Sequence, residues 1–269
     1  MKRNRSLLEA WALQSVMSDN QLISVGAGLI TRALELEEKS KLTESLVCYE
    51  EGIGLLIKGL RLCTDKNLKC SLKAKIDSYM TRAEELKELI KKRTAGGTYH
   101  EQIRISDGDT GFGYKRLFGR FLQYGTVTKV FVEDPYIRSS MQVNCQPRST
   151  TLEKFSHFCE VVISSPSPVQ RISLTTGQHS QNPTEQLEKL KILQQDLHAR
   201  NVTFEWTFSS ALHDRKIWFD NGWVVKVGRG LDYITPSSHK FVGLGVHDFD
   251  FRKCLQTDID IYFLEKPPA

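Results

Sequence analysis

Apolar residues recur every three or four positions along three stretches in the first third of the chain, and at alternate positions through much of the remainder. Leu22, Val25, Leu29, Ala33 and Leu36 fall on one face of a first predicted helix, with Glu35 to Lys41 as a polar, turn-like tail. A second helix begins at Thr43, a residue type suited to the N-cap, and carries Leu46, Tyr49, Ile53, Leu56 and Leu60 on one side. Gly52, Gly54 and Gly59 weaken it by up to about 1 kcal/mol each, so neighbours must hold it. After a polar gap from Thr64 to Lys69, a third helix places Leu72, Ile76, Tyr79, Ala83, Leu86 and Ile90 on its buried stripe. Three amphipathic helices with short connections predict an up-down-up bundle.

The pattern then changes. A glycine-rich stretch leads to a strand at QIRIS, a short helix at Tyr114 to Leu122 and an apolar strand at Val127 to Val132 that Pro135 brings to an end. Residues 137–151 are polar and patternless, an expected excursion. Further on come a helix at Leu152 to Ile163, a strand over 169–176, a helix from Pro183 to Arg200 and a strand at Val202 to Phe208. Alternating strands and helices predict a parallel α/β layer, whose ligands bind beyond the carboxyl ends of the strands. Asp134 to Arg138, Thr175-Thr176 and His213 would meet there. The expected fold class is α + α/β: a lead-in over 1–20, a helical bundle over 21–95, a linker over 96–113 and an α/β domain over 114–269.

The last strong local signal is HDRKIWFDNGWVVKVGRGLDY, residues 213–233. Asp220-Asn221-Gly222 between alternating runs predicts a hairpin closed by a turn with positive φ at both central residues. His213 and Arg215, two apart, share one side of a strand and can face a phosphate. Trp218 and Trp223 serve either as interfacial anchors or as packing across the hairpin.

Composition narrows the classes. The 269 residues carry 37 basic and 32 acidic side chains, +5 overall, and the second half is nearly neutral, so an anionic partner of that half must meet a local patch. Nothing interleaves aromatics with a basic stripe as nucleic-acid binding requires. No apolar run reaches the roughly 20 residues of a membrane span. The six cysteines contain no Cys-x-x-Cys pair and none has zinc-site spacing with His. Free thiols in a cytoplasmic protein, with no metal or cofactor, are the expectation.

Two resemblances sharpen this reading. Ala-x-Glu-Leu-Glu in the first helix, Tyr-x-Glu-Gly-Ile in the second and Tyr79-Met80-Thr81-Arg82-Ala83-Glu84-Glu85-Leu86-Lys87 in the third resemble the MIT domain. The resemblance implies that C-terminal tail helices of ESCRT-III subunits, the charged multivesicular body proteins, lie between the second and third helices. Carried over to this chain, the contacts would be Ile76, Tyr79, Met80, Ala83 and Glu84, with Glu84 meeting an Arg of the incoming helix. Met80 as core filler and Glu84 as a solvated partner of Lys87 is the plainer alternative. Gly52, where such modules usually carry alanine, would loosen the second helix.

His213, Arg215 and Asp220 resemble the His-x-Lys-x-x-x-x-Asp motif of the phospholipase D superfamily, with Arg in the Lys position and a single copy in the chain. Arg holds phosphate through a planar fork, and the superfamily's chemistry needs two histidines, so phosphate binding should outlast catalysis. Asp232 also puts a carboxylate near the phosphate position. Glu-Asp-Pro-Tyr-Ile-Arg at 133–138, His-Asp-Arg at 213–215, Asn-Gly-Trp at 221–223, residues 226–233 and Asp-Phe-Asp-Phe-Arg at 248–252 resemble the C-terminal domain of the MIT domain-containing protein 1 family. That resemblance implies a non-enzymatic phospholipase D-like fold that self-associates, as a homodimer, and binds acidic phospholipid, phosphoinositides included. It further implies action in cytokinesis, at abscission, with peripheral placement at late endosome and midbody. Arg138, His213, Arg215, Lys226 and Arg229 are the expected lipid contacts, forming one concave patch. Pairing of Lys226 and Arg229 with Asp232, Asp248 or Asp250 inside the fold is the competing use. A dimeric phosphodiesterase using His213 is the alternative function.

Overall fold

The computed structural model describes residues 19–97, 99–123, 126–138, 151–237 and 242–264. The chain forms two compact units, Met1–Arg93 and Thr94–Ala269. Residues 1–18 of the expected lead-in, most of the 137–151 excursion and Cys145 lie outside the described residues.

The first unit is three helices: α1 (Asp19–Glu38), α2 (Leu42–Leu62) and α3 (Lys66–Ala95). Ser40 at φ 57 ends α1, with Lys41 N–H donating to Leu36 O at 2.9 Å, a Schellman closure. The buried face of α1 keeps Leu22, Ala33 and Leu36 as expected and adds Ile30, while Leu29 is half-buried and Val25, also expected there, is exposed. Gly26, next to Val25, takes the buried place at that level of the helix. A Cβ there would come within 3.0 Å of Gly52 O, and one on Gly52 within 3.1 Å of Gly26 O. The two glycines therefore let α1 and α2 approach backbone to backbone. Gly52 is a packing contact rather than the loosening expected of it. Thr43 is buried in the first turn of α2 instead of capping it; the N-cap position belongs to Lys41. The third helix starts earlier than expected because Asp65 Oδ1 accepts from the N–H groups of Asn67 and Leu68, at 2.8 and 3.2 Å. Its stripe agrees with the periodicity: Leu72, Ile76, Ala83 and Leu86 are buried, with Tyr79 and Ile90 packed against them.

In the second unit, β1 (His100–Ile105), α4 (Tyr114–Leu122), β2 (Lys129–Glu133), α5 (Thr151–Ile163), β3 (Arg171–Thr176), α6 (Pro183–His198), β4 (Thr203–Phe208), β5 (Lys216–Phe219), β6 (Trp223–Val227) and β7 (Thr257–Phe263) follow in order. They make one seven-stranded sheet, β1-β7-β6-β5-β2-β3-β4. Only β2, β3 and β4 are parallel, and the other half is antiparallel. The α/β alternation was legible for the parallel part. The stretch 96–113 does more than link, since β1 forms an edge of the sheet. Arg120 of α4 holds that edge through a buried pair with Glu101 at 3.1 Å.

Alternation along the strands builds the core. Val130 and Val132, Ile172 and Leu174, Ile217 and Phe219, Val225 and Val227, and Ile259 and Ile261 are all buried. Rings from the helices pack on this face, with Phe121 5.7 Å from Phe219 and Phe155 5.7 Å from Phe204. Trp223 joins them, 5.2 Å from Phe121. Trp218, on the other face, stacks on Phe131 at 5.1 Å. Both tryptophans are thus used in packing. The hairpin turn differs from the expected type: Gly222 alone has positive φ, 99°, and its N–H donates to Phe219 O at 3.0 Å. That is a turn followed by a glycine bulge rather than a two-residue turn.

Candidate functional site

On the bundle, α3 presents two different kinds of residue among those expected to meet a foreign helix. Ile76 and Ala83 are core, 3% and 4% exposed. Tyr79 is half-buried against that core. Met80 is 49% exposed, an apolar side chain one position outside the buried stripe. It lines a shallow depression with Thr81, Glu84, Glu85 and Glu88, all from α3. Glu84 accepts from Lys87 at 3.1 Å, and Lys87 also reaches Glu50 of α2 at 3.2 Å. The Met80 edge therefore borders α2, with acidic side chains along it.

The sheet supplies the second candidate, at the carboxyl ends of β2 and β3. Pro135 stops β2, and the chain turns so that Tyr136 stands half-exposed with two arginines near its ring. Arg215 lies with its guanidinium carbon 4.3 Å from the ring centre and Arg138 at 5.6 Å. Each is also fixed from behind. Arg138 Nε donates to Pro135 O at 3.0 Å, over Gly177, where a Cβ would sit 2.5 Å from the guanidinium. Arg215 donates to Gly228 O at 2.8 Å. Gln186, fully buried, donates to Ile137 O and Gly177 O at 2.9 and 3.0 Å, which ties this segment to α6.

Beneath the arginines lies Asp134, 4% exposed, whose carboxylate accepts from the N–H groups of Tyr136 at 2.9 Å and Leu231 at 3.4 Å. Burial pushes its carboxyl above the usual range, and the backbone donors and Arg215 offset this only in part. Gly230, at φ 60, is required here because a Cβ would collide with the Asp134 carboxylate. Asp232 is occupied by the ammonium of buried Lys154, which donates also to Ile234 O at 2.6 Å. The carboxylate expected to intrude on a phosphate is thus neutralised from inside the fold.

Among the remaining expected residues, Asp220 stands apart from the others. His213 is exposed and has no hydrogen-bond partner among the described residues. Asp220 sits at the far end of β5, about 16 Å along the strand from Arg215. It accepts from Thr128 N–H at 3.0 and 3.2 Å and from the Thr128 hydroxyl. It is a turn anchor, and the three motif residues do not converge. Lys226 lies on the sheet face away from Val225 and Val227, 3.9 Å from Asp214. Arg229 is pinned by donation to Gln256 O at 3.0 Å. Of the five expected lipid contacts, Arg138 and Arg215 meet at one ring, that of Tyr136, the residue that sequence reasoning missed, while Lys226 and Arg229 stay exposed at the neighbouring end of β6, Arg229 next to the Gly228 that accepts from Arg215. The position of Tyr136 two before Arg138 was the available clue. Among the described residues no cluster of His, Cys, Asp or Glu is placed to hold a metal ion, and no helix is long and apolar enough to cross a membrane.

The family model for the MIT (microtubule interacting and transport) domain matches residues 23–88, and that for a phospholipase D-like domain at the C-terminus of MIT matches residues 111–263. MIT domain-containing protein 1 of Mus musculus is 39% identical over 240 residues, 89% of this chain and 92% of the relative. This chain belongs to the MIT domain-containing protein 1 family. For a member of this family, the two matched regions account for the two units: the helical bundle is the MIT domain, and the seven-stranded sheet with its helices is the phospholipase D-like domain. Within the latter, the matched stretch contains Arg138, Tyr136 and Arg215 together.

Proposed function

We propose that this chain is a non-enzymatic adaptor that joins ESCRT-III filaments to acidic phospholipid membranes. Its MIT domain takes the amphipathic tail helix of an ESCRT-III subunit along the Met80 edge of α3. Apolar anchors at helical spacing give affinity there, and Glu84 sets register against a basic residue. The phospholipase D-like domain holds anionic headgroups at Arg138 and Arg215. A homodimer would double the valency, so that two reversible attachments reinforce each other. The setting is cytoplasmic, peripheral to late-endosomal and midbody membranes, in the abscission step of cytokinesis.

One observation carries the non-enzymatic part. A nucleophilic histidine needs an orienting partner, yet His213 is exposed without one among the described residues, while Arg138 and Arg215 are both held at the Tyr136 ring. The site is built for anion retention. Titration of a labelled ESCRT-III tail helix against the full chain tests the groove: Met80→Asp weakens binding at least tenfold, and equal affinity in that variant removes the groove assignment. A phosphodiester assay on the purified chain tests the other half. Turnover that disappears in His213→Ala would establish the phosphodiesterase instead.

A further inference from the structure

Val242 and Leu244 are 80% and 83% exposed, the two most exposed large apolar side chains among the described residues. Phe251, nearby in the same excursion, is 58% exposed. Scattered apolar residues are ordinary on a protein surface, but this pair stands on a constructed tip. Gly243 and Gly245 have φ of 128° and 82°, which only glycine adopts without strain, and Val246 N–H closes the turn on Gly243 O at 3.5 Å. The base is anchored. Buried Arg252 donates from Nε to Gly245 O and from its fork to Val246 O at 3.2 Å, with its guanidinium 3.8 Å over the Phe249 ring. A fixed base thus holds two aliphatic side chains out in water.

The tip shares an end of the sheet with the arginines. From the tip, residues 246–256 lead into the start of β7 through Cys254, which bridges Ile234. The register pairs the start of β7 with the end of β6, the end of β6 with the start of β5, and the start of β5 with the end of β2. Arg138 and Arg215 lie at that same end.

We propose that the Val242–Leu244 tip inserts into the interfacial zone of an anionic lipid bilayer while Arg138 and Arg215 engage its headgroups. This rests on the lipid-binding reading above and adds an apolar anchor to it. A bilayer favours isolated side chains of this kind because it needs no complementary pocket, and cations on the same side match its charge. A protein partner would require shape that a two-residue tip does not offer.

The test is flotation of the full chain with mixed phosphatidylcholine and phosphatidylserine vesicles across a salt series. Val242→Ser with Leu244→Ser should weaken partition about tenfold at every salt concentration, as expected when two aliphatic side chains no longer leave water. The salt dependence should stay that of the parent. Arg138→Glu with Arg215→Glu should remove the salt-dependent part. Val242→Phe with Leu244→Phe should tighten binding, a gain that a merely structural loop would not give. Unchanged partition in both loop variants overturns the anchor while parent binding leaves the lipid reading standing. Failure of the parent to float removes both. Loss of self-association in the serine variant with partition unchanged assigns the tip to a protein interface and overturns the proposal.

Discussion

The Arg215 guanidinium carbon lies 4.3 Å from the centre of the Tyr136 ring, and that of Arg138 lies 5.6 Å from the same ring. Two like charges so held repel each other, and the ring face offsets part of that cost by about 0.5–1 kcal/mol per contact at exposed sites. Each cation near acidic lipid contributes about 1 kcal/mol. Arg215→Ala should therefore weaken vesicle binding roughly fivefold and lower its salt sensitivity, as flotation at two ionic strengths will read. Tyr136→Leu should weaken it less and leave the salt sensitivity intact, because both charges remain.

Gly52 and Gly26 set the closest approach of α1 and α2. Gly52→Val places methyl groups against Gly26 O and Ile30, so the bundle should lose about 1–3 kcal/mol despite better helix propensity. Thermal denaturation followed by circular dichroism checks this. A variant melting at or above the parent temperature contradicts the backbone contact.

Asp220 serves the turn through Thr128. Asp220→Ala leaves the Thr128 N–H and hydroxyl without their acceptor and should cost about 1–3 kcal/mol of stability in denaturant unfolding. Affinity for anionic vesicles should not change. A selective loss of anion binding with stability preserved would return Asp220 to the phosphate site.

Asp134 predicts a pH dependence with a definite sign. Burial raises its folded-state pKa above the unfolded value, so the folded state binds the proton more tightly. Its contribution to stability is fully present below the ordinary carboxyl range near ~3.9 and falls as pH rises through the raised value. Asp134→Asn removes that titration, so the melting temperature of the variant should change less than the parent's between those limits. Parallel curves for the two proteins would contradict it.

How far these relationships could be read from residues alone depended on their range in sequence. The stripe of α3, the strand at β2 and the helix at Tyr114–Leu122 follow from local periodicity, and the structure has them where expected. On α1 the periodicity found Leu22, Ala33 and Leu36 but misplaced Val25, because a glycine carries no apolar signal and Gly26 is buried through its partner in α2. Likewise His213, Arg215 and Asp220 are near in sequence, but a strand keeps its ends apart. Tyr136 and Arg215 are far apart in sequence and meet because β2 and β5 run antiparallel. Position-by-position carry-over placed Ile76 and Ala83 beside Met80 along the helix. Burial separates core from edge on that helix.

Flotation of a labelled ESCRT-III tail helix with mixed phosphatidylcholine and phosphatidylserine vesicles measures directly whether one chain holds a filament tail and an anionic bilayer at once. With the full chain present the tail should rise with the vesicles. Met80→Asp should float without the tail, and Arg138→Glu with Arg215→Glu should keep the tail at the bottom of the gradient. A tail that rises equally with all three proteins, or with none, contradicts the account.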